Sequence, residues 1–267
     1  MKKRFILLLI IIAFICFGCF YLYDYSKDVA VKKSEDLLKV VTKRGYIIVG
    51  VNDDIKPFGF IENGKNTGFD IDIAHRIAKD IFHDEEKVKF VPVAYKDRLY
   101  TLNINKVDMI IATMSITPQR MSFADFSKSY YVTGQSLLVR AGSNIKSLAD
   151  LSDKNVGVIF GSTAEQTLKL LLPTARVHGY RAYKDAYDAL KAGKILGVVA
   201  DDSILRNFAL NDGSVKILPK KYSKELYGVA FRKGAESANL LNSVNNTITQ
   251  MDSQNELIQL IRKWKLD

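Results

Sequence analysis

The sequence predicts an α/β protein of two units joined by two chain crossings. Three observations carry this. Short apolar runs of strand length alternate with segments whose apolar residues recur at helical spacing. The alternation occurs twice, before and after a break near Tyr131–Gln135. A last apolar run, Gly228–Arg232, follows a second break near Glu225–Gly228 and leads into a long amphipathic C-terminus, Asn239–Trp264. Two crossings leave two hinged lobes with a cleft between them, where small molecules often bind.

The chain opens with Met1-Lys2-Lys3-Arg4 and then carries no charge from Phe5 to Tyr23. Such a run is a secretory segment or a membrane anchor. Both cysteines, Cys16 and Cys19, lie in it, so everything after it folds without disulfides. Residues 24–44 are polar and read as a tether that turns into a short helix, Glu35–Thr42, punctuated by Gly45. Strands follow at Tyr46–Val51, Val88–Val93 and Val107–Ile111, with helices at Ile71–Phe82 and near Leu99–Ile104. Pro57–Phe60 and Asn63–Asn66 are turn material. The second unit has strands at Ser136–Val139, Asn155–Ile159 and Leu196–Ala200. Its helices are Ser147–Leu151, Glu165–Leu172 (stopped by Pro173) and Tyr187–Ala192. Strands alternating with helices predict largely parallel sheets. The expected divisions are 1–23 as signal or anchor and 24–44 as tether. Residues 45–132 with 228–267 form the first lobe, and 133–227 the second.

Of the 267 residues, 48% are apolar and 25% charged, the composition of a folded chain rather than a disordered one. The net charge of +10 comes from lysines spread along the chain, with no basic run interleaved with aromatics. Nucleic acid is therefore not an expected partner. His75, His83 and His178 are far apart and lack metal-ligand spacing, so no metal is expected. A Gly-x-Ser-x-Gly elbow and a phosphate-cradling glycine loop are absent from the sequence, and neither an enzyme nor a cofactor is expected.

Four places carry candidate binding residues. In Ala112–Arg120 an apolar run feeds small and hydroxyl residues, then Pro118, then Arg120. Small residues let a ligand approach the backbone, hydroxyls donate or accept, and arginine grips a carboxylate through a planar fork. An ordinary strand-to-loop corner with a solvated arginine looks the same. Gly161-Ser162-Thr163-Ala164-Glu165 follows a strand and opens a helix. It is either an anion-binding helix start or a plain capping box of Ser162 with Glu165. Asp201 and Asp202 end a strand, where open α/β sheets bind ligands; Asp201 is expected to face the cleft and Asp202 to cap the next helix. Arg98 follows the strand ending at Val93 and is either a pocket residue or a solvated residue at a helix start. Tyr95 and Phe58 are pocket walls or ordinary core.

Several motifs together resemble polar amino-acid substrate-binding proteins of ABC importers, the bacterial solute-binding proteins of family 3. They are Gly68–Ala74, Ala112–Arg120, Phe126-Ser127 with Tyr130-Tyr131, Gly161–Thr163, and Gly193–Ile195 leading to Asp201. They stand in family order and spacing over about Leu38–Leu266. The resemblance implies a two-lobed, periplasmic-binding-protein-like fold of type 2, with two crossover strands at the hinge. It implies a monomer that closes on one amino acid and docks on a membrane permease. Carried over by position, Arg120, the N–H groups of Ser115 and Thr163, and Ser162 beside them would hold the α-carboxylate. The Thr113 hydroxyl, the Ala112 carbonyl and Asp201 would hold the α-ammonium. Both charges of a buried zwitterion must be paired, or desolvation cancels binding. Arg98 matches an arginine that meets the second carboxylate in glutamate and aspartate binders, so these are the expected ligands. Asn52 stands where those binders carry lysine, which keeps glutamine and other polar amino acids open. Ala112 replaces a serine, Leu196 an aspartate, and Ile55 an aromatic that stacks on basic ligands. Gly18-Cys19 resembles a lipoprotein cleavage site, so Cys19 is expected to carry lipid unless residues 5–23 stay as an anchor. In both cases the protein is tethered outside the cytoplasm. A dehydratase-like enzyme of the same fold and a tethered sensor or adhesin are the alternatives.

Overall fold

The computed structural model describes residues 35–267. Cys19, the apolar segment and most of the expected tether lie outside the described residues. The first half of the chain runs α1 (Leu37–Arg44), β1 (Ile47–Val51), β2 (Asp54–Ile55), β3 (Gly59–Glu62), β4 (Lys65–Thr67), α2 (Phe69–Phe82), β5 (Val88–Pro92), α3 (Arg98–Asn103), β6 (Met109–Ile110), α4 (Pro118–Met121) and β7 (Ala124–Thr133). The second half runs β8 (Gln135–Arg140), β9 (Asn155–Ile159), α5 (Thr163–Leu171), β10 (Arg176–Tyr180), α6 (Tyr183–Lys191), β11 (Gly197–Asp201), α7 (Asp202–Asn211), β12 (Val215–Ile217), β13 (Glu225–Arg232), α8 (Ala238–Ser253) and α9 (Glu256–Lys263).

Two five-stranded sheets form the lobes, ordered β5-β1-β6-β13-β7 and β10-β9-β11-β8-β12. In each, the first three strands are parallel and the fourth is antiparallel to both neighbours. The sheets are therefore mixed rather than largely parallel. The fourth strand is β13 in one lobe and β8 in the other, the strands by which the chain enters from across the cleft. An incoming strand from the opposite lobe arrives pointing the other way. At the crossing, Glu225, Leu226 and Tyr227 pair with Thr133, Val132 and Tyr131, a two-stranded hinge ribbon. Asn52, Ala112, Gly161 and Asp201 all follow or end the carboxyl ends of parallel strands, where loops face the cleft.

The parallel strands are apolar because both faces are covered. Val49, Val51, Ile73, Ile77, Phe231 and Val244 pack in the first lobe, and Leu137, Val156, Val158, Leu168 and Val199 in the second. Helix α1 belongs to this core. Leu37 and Val41 are buried, Asn239 donates to Asp36 at 2.7 Å, and Gly45 closes the helix in the left-handed region (φ 82°) that favours glycine. Residues 37–44, expected as the end of a tether, are thus packed structure. Phe58 is fully buried and meets Phe69, Tyr131 and Tyr227 edge-on at 6.0, 5.5 and 5.6 Å. It is a core residue beneath the hinge and not a pocket wall. The C-terminus is two helices, broken at Asn255 (φ 61°), and Asp72 holds the second through Trp264 Nε1 at 2.7 Å and Lys263 at 2.8 Å. Among the described residues no helix is long and apolar enough to cross a membrane.

Val41→Ala is expected to lower unfolding free energy by about 1–3 kcal/mol in urea titrations, the cost of an unfilled core site. A loss below about 0.5 kcal/mol, the range of surface changes, would show α1 to be a dispensable tether.

Candidate functional site

The site grows from the end of β6. Thr113 holds a positive φ of 47°, a strained region for a β-branched residue. Its N–H donates to Asp70 Oδ2 at 2.8 Å, and Tyr130 donates to Asp70 Oδ1 at 3.0 Å. Asp70 is wholly buried at the start of α2, and burial pushes its pKa up to about 6. Both its oxygens are thus occupied in holding the bend. Ala112, Thr113 and Ser115 around this bend are all buried, and the Ser115 carbonyl accepts from Arg120.

Arg120 sits on α4, whose start is set by Thr117: its hydroxyl accepts from the Arg120 N–H at 3.2 Å, with Pro118 next. The guanidinium donates to the Ser115 carbonyl at 2.9 Å and, across the cleft, to the Gly161 carbonyl at 3.2 Å. Burial and the neighbouring Arg98 charge press the Arg120 pKa down. Gly161 has φ 78°, and a Cβ there would lie 2.9 Å from the Lys96 Cα of the other lobe. Glycine is what lets the lobes meet. Ser162 and Glu165 form no capping box. Glu165 pairs with Lys169 at 2.8 Å, and the buried Ser162 Oγ has no partner among the described residues. Thr163 donates to Glu225 at 3.1 Å and accepts from Gln135 at 2.9 Å.

Asp201 occupies the N-cap position of α7 but does not cap it; its carboxylate accepts from the Tyr227 hydroxyl. Burial, then the nearby Glu225 charge, push its pKa up to about 7. Asp202, expected as the cap, pairs instead with Arg206 at 3.1 Å and Lys221 at 3.4 Å. Glu225 itself is held by Gln135 at 3.0 Å and Ser223 at 2.7 Å.

The third group surrounds Arg98, which is 1% exposed. Its guanidinium lies over the Tyr95 ring, 3.6 Å from the centroid, and Nη2 donates to Asn52 Oδ1 at 2.8 Å. The Tyr95 hydroxyl pairs with Thr113 Oγ1 at 2.8 Å, and Asn52 Nδ2 donates to the same oxygen at 3.3 Å. Arg98 Nε and Nη1 are buried with no partner among the described residues. Arg44, Arg76 and Arg206 pair with carboxylates; among the described residues, Arg98 and Arg120 do not. An orphaned buried guanidinium is costly and calls for an acceptor.

Of the eleven expected ligand-site residues, Asn52, Tyr95 and Thr113 contact Arg98 or its partners, Ser115 contacts Arg120, Ser162 and Thr163 open the facing helix, and the side chains of Ala112 and Phe58 pack in the apolar cores. Tyr227, Glu225, Gln135, Asp70 and Tyr183 were not expected. Tyr227 lies in a strand-like apolar stretch, and only the pairing of the crossover strands brings it to Asp201.

Residues 47–267 match the family described as bacterial extracellular solute-binding proteins, family 3. The chain is 39% identical over 228 residues to the glutamine-binding protein of Geobacillus stearothermophilus, spanning 84% of this chain and 86% of that one. It is 35% identical over 268 residues to the ABC transporter glutamine-binding protein GlnH of Bacillus subtilis (strain 168), spanning 99% and 97%. A solved ancestral arginine-binding protein bound to glutamine matches with a TM-score of 0.76 at 38% identity, over 83% of this chain and 98% of that one.

Asp201 gives a pH dependence with a definite sign. Its folded pKa, about 7, stands above its ordinary 3.8. The stability it contributes is full below about pH 4 and is lost as pH rises through 7. Urea unfolding of the ligand-free protein is expected to show stability falling from pH 5 to 7.5, with a shallower fall in Asp201→Asn. Equal slopes in the two proteins would contradict the assignment.

Proposed function

Because the chain belongs to the bacterial extracellular solute-binding proteins, family 3, we propose that it captures a free amino acid outside the cytoplasm for an ABC importer, and that this amino acid is glutamine. One observation carries the binding reading: two cleft arginines without carboxylate partners stand beside a buried carboxylate, Asp201. An α-amino acid supplies the missing charges in one molecule. Its carboxylate meets Arg120, the Ser162 hydroxyl and the N–H groups of Ser115 and Thr163. Its ammonium meets Asp201, the Thr113 hydroxyl and the Ala112 carbonyl. A side-chain acceptor meets Nε and Nη1 of Arg98.

Glutamine is favoured over the glutamate or aspartate expected from Arg98. The two relatives at 39% and 35% identity are both named for glutamine. Asn52 occupies one Arg98 nitrogen and adds no charge, so a single cation faces the side chain. A neutral carbonyl oxygen can accept from its free N–H groups. Glutamate is the second reading, favoured by the lack of an acid paired with Arg98.

Arg120, Thr163, Asp201 and Tyr227 draw on both lobes, so ligand stabilises the closed form, which then docks on a permease. The positively charged start followed by an apolar run supports tethering at the membrane, with Cys19 as the lipid site or residues 5–23 as anchor. The chain catalyses nothing in this reading. Asp70 spends both oxygens on structure, and the Asp201 pKa falls once an ammonium pairs with it.

Titration calorimetry is expected to give tighter binding of glutamine than of glutamate by the wild-type protein. Arg120→Ala loses on the order of 100-fold in affinity with the fold intact, and Arg98→Ala at least about tenfold. Near-normal affinity in Arg120→Ala would sink the clamp, and a wild-type preference for glutamate would replace the glutamine reading.

A further inference from the structure

Tyr183 is a second-lobe residue hydrogen-bonded to the Arg98 cluster. It opens α6, is 5% exposed, and donates its hydroxyl to that of Tyr95 at 3.2 Å. Its ring meets the Tyr95 ring edge-on, 5.7 Å between centroids. The Tyr95 hydroxyl is bound to Thr113, and the Tyr95 ring floors Arg98. A continuous line of contacts thus runs from Asp70 in the first lobe through Thr113 and Tyr95 to Tyr183 in the second.

Two cavities adjoin this point, of about 260 and 340 Å³. Tyr183, Asp53, Asp54 and Ile55 line both. The smaller also touches Asn52 and Tyr95, the partners of Arg98, whereas the larger extends between the lobes to Tyr187 and Ile204. Tyr183 is thus one of the four residues shared by the two cavities, and it is the one hydrogen-bonded to Tyr95 beside Arg98.

We infer that Tyr183 is a length gate for the ligand side chain: on closure its ring shuts the pocket at Arg98 and excludes amino acids longer than the one the pocket fits. This rests on the amino-acid-binding reading above and adds to it the residue that sets the upper limit of side-chain length. The hydroxyl and the ring do separate work. The hydroxyl ties the closed lobes through Tyr95 whatever the ligand. The ring provides the wall. A misfit of one methylene in such a pocket is worth roughly 10–200-fold in discrimination.

The test is calorimetry on the purified full-length protein with glutamine and with citrulline, a longer neutral amino acid that also ends in a carbonyl. The wild type is expected to prefer glutamine strongly. In Tyr183→Ala the glutamine-to-citrulline affinity ratio falls by on the order of tenfold or more. Tyr183→Leu, a gentler truncation, moves it the same way. Tyr183→Phe keeps the wild-type ratio while binding both ligands a few-fold more weakly. Losses equal for both ligands in the Ala and Leu variants would make Tyr183 a structural residue and overturn the gate. So would a Phe variant that relaxes the ratio as far as Ala. A wild type that prefers another amino acid overturns the glutamine reading alone; the gate is then scored on that ligand and a longer homologue. A wild type that binds no amino acid overturns both.

Discussion

The arrangement of this cleft follows from two guanidinium groups without carboxylate partners, Arg98 buried and Arg120 half-buried. A buried cation left unpaired costs several kcal/mol, so the protein must compensate by other means. Arg98 is supported by the face of Tyr95 and the carbonyl of Asn52. Arg120 is supported by two backbone carbonyls, one from each lobe. Neither support supplies a negative charge. Asp201, the nearby acid that could, is turned to Tyr227 and raised toward neutrality. The site therefore leaves its two guanidinium groups short of hydrogen-bond acceptors, and a molecule bearing a carboxylate, an ammonium and one further acceptor supplies them.

That incompleteness is sustained by rigid parts outside the pocket. Asp70 fixes the left-handed Thr113, and through it the line to Tyr95. Glu225, gripped by Gln135 and Ser223, fixes Thr163 at the start of the facing helix. These buried hydrogen-bond networks hold a geometry. Among the buried polar atoms without a partner in the described residues are Ser162 Oγ at the start of the facing helix and Nε and Nη1 of Arg98. Because the supports belong to different lobes, binding and closure become one equilibrium.

Local pattern made much of this legible. The strand Asn155–Ile159 and the helix ending at Phe82 follow from apolar runs and helical spacing, whereas local pattern leaves Arg120 and Arg98 open and only the family resemblance singles them out. Long-range pairing hid the rest. β7 reads as mixed polar sequence, because it borders a sheet whose neighbouring strand, β13, arrives from far along the chain. Helix α1 is legible as a short helix, but its place in the core is not, because Leu37 and Val41 are buried against residues from far along the chain. Ser162 and Glu165 have capping-box spacing, but the helix start is buried and the serine is left free. Phe58 can be read as pocket wall or core, and aromatics from other segments, Phe69, Tyr131 and Tyr227, pack around it. Tyr183 and Tyr227 gain meaning only once the lobes meet.

A crystal structure of the protein with glutamine tests the central claim most directly. The account predicts the α-carboxylate on Arg120, the ammonium on Asp201, and the side-chain carbonyl about 3 Å from Nε or Nη1 of Arg98. A glutamine lying with its α-carboxylate on Arg98, or bound outside the cleft, would contradict it.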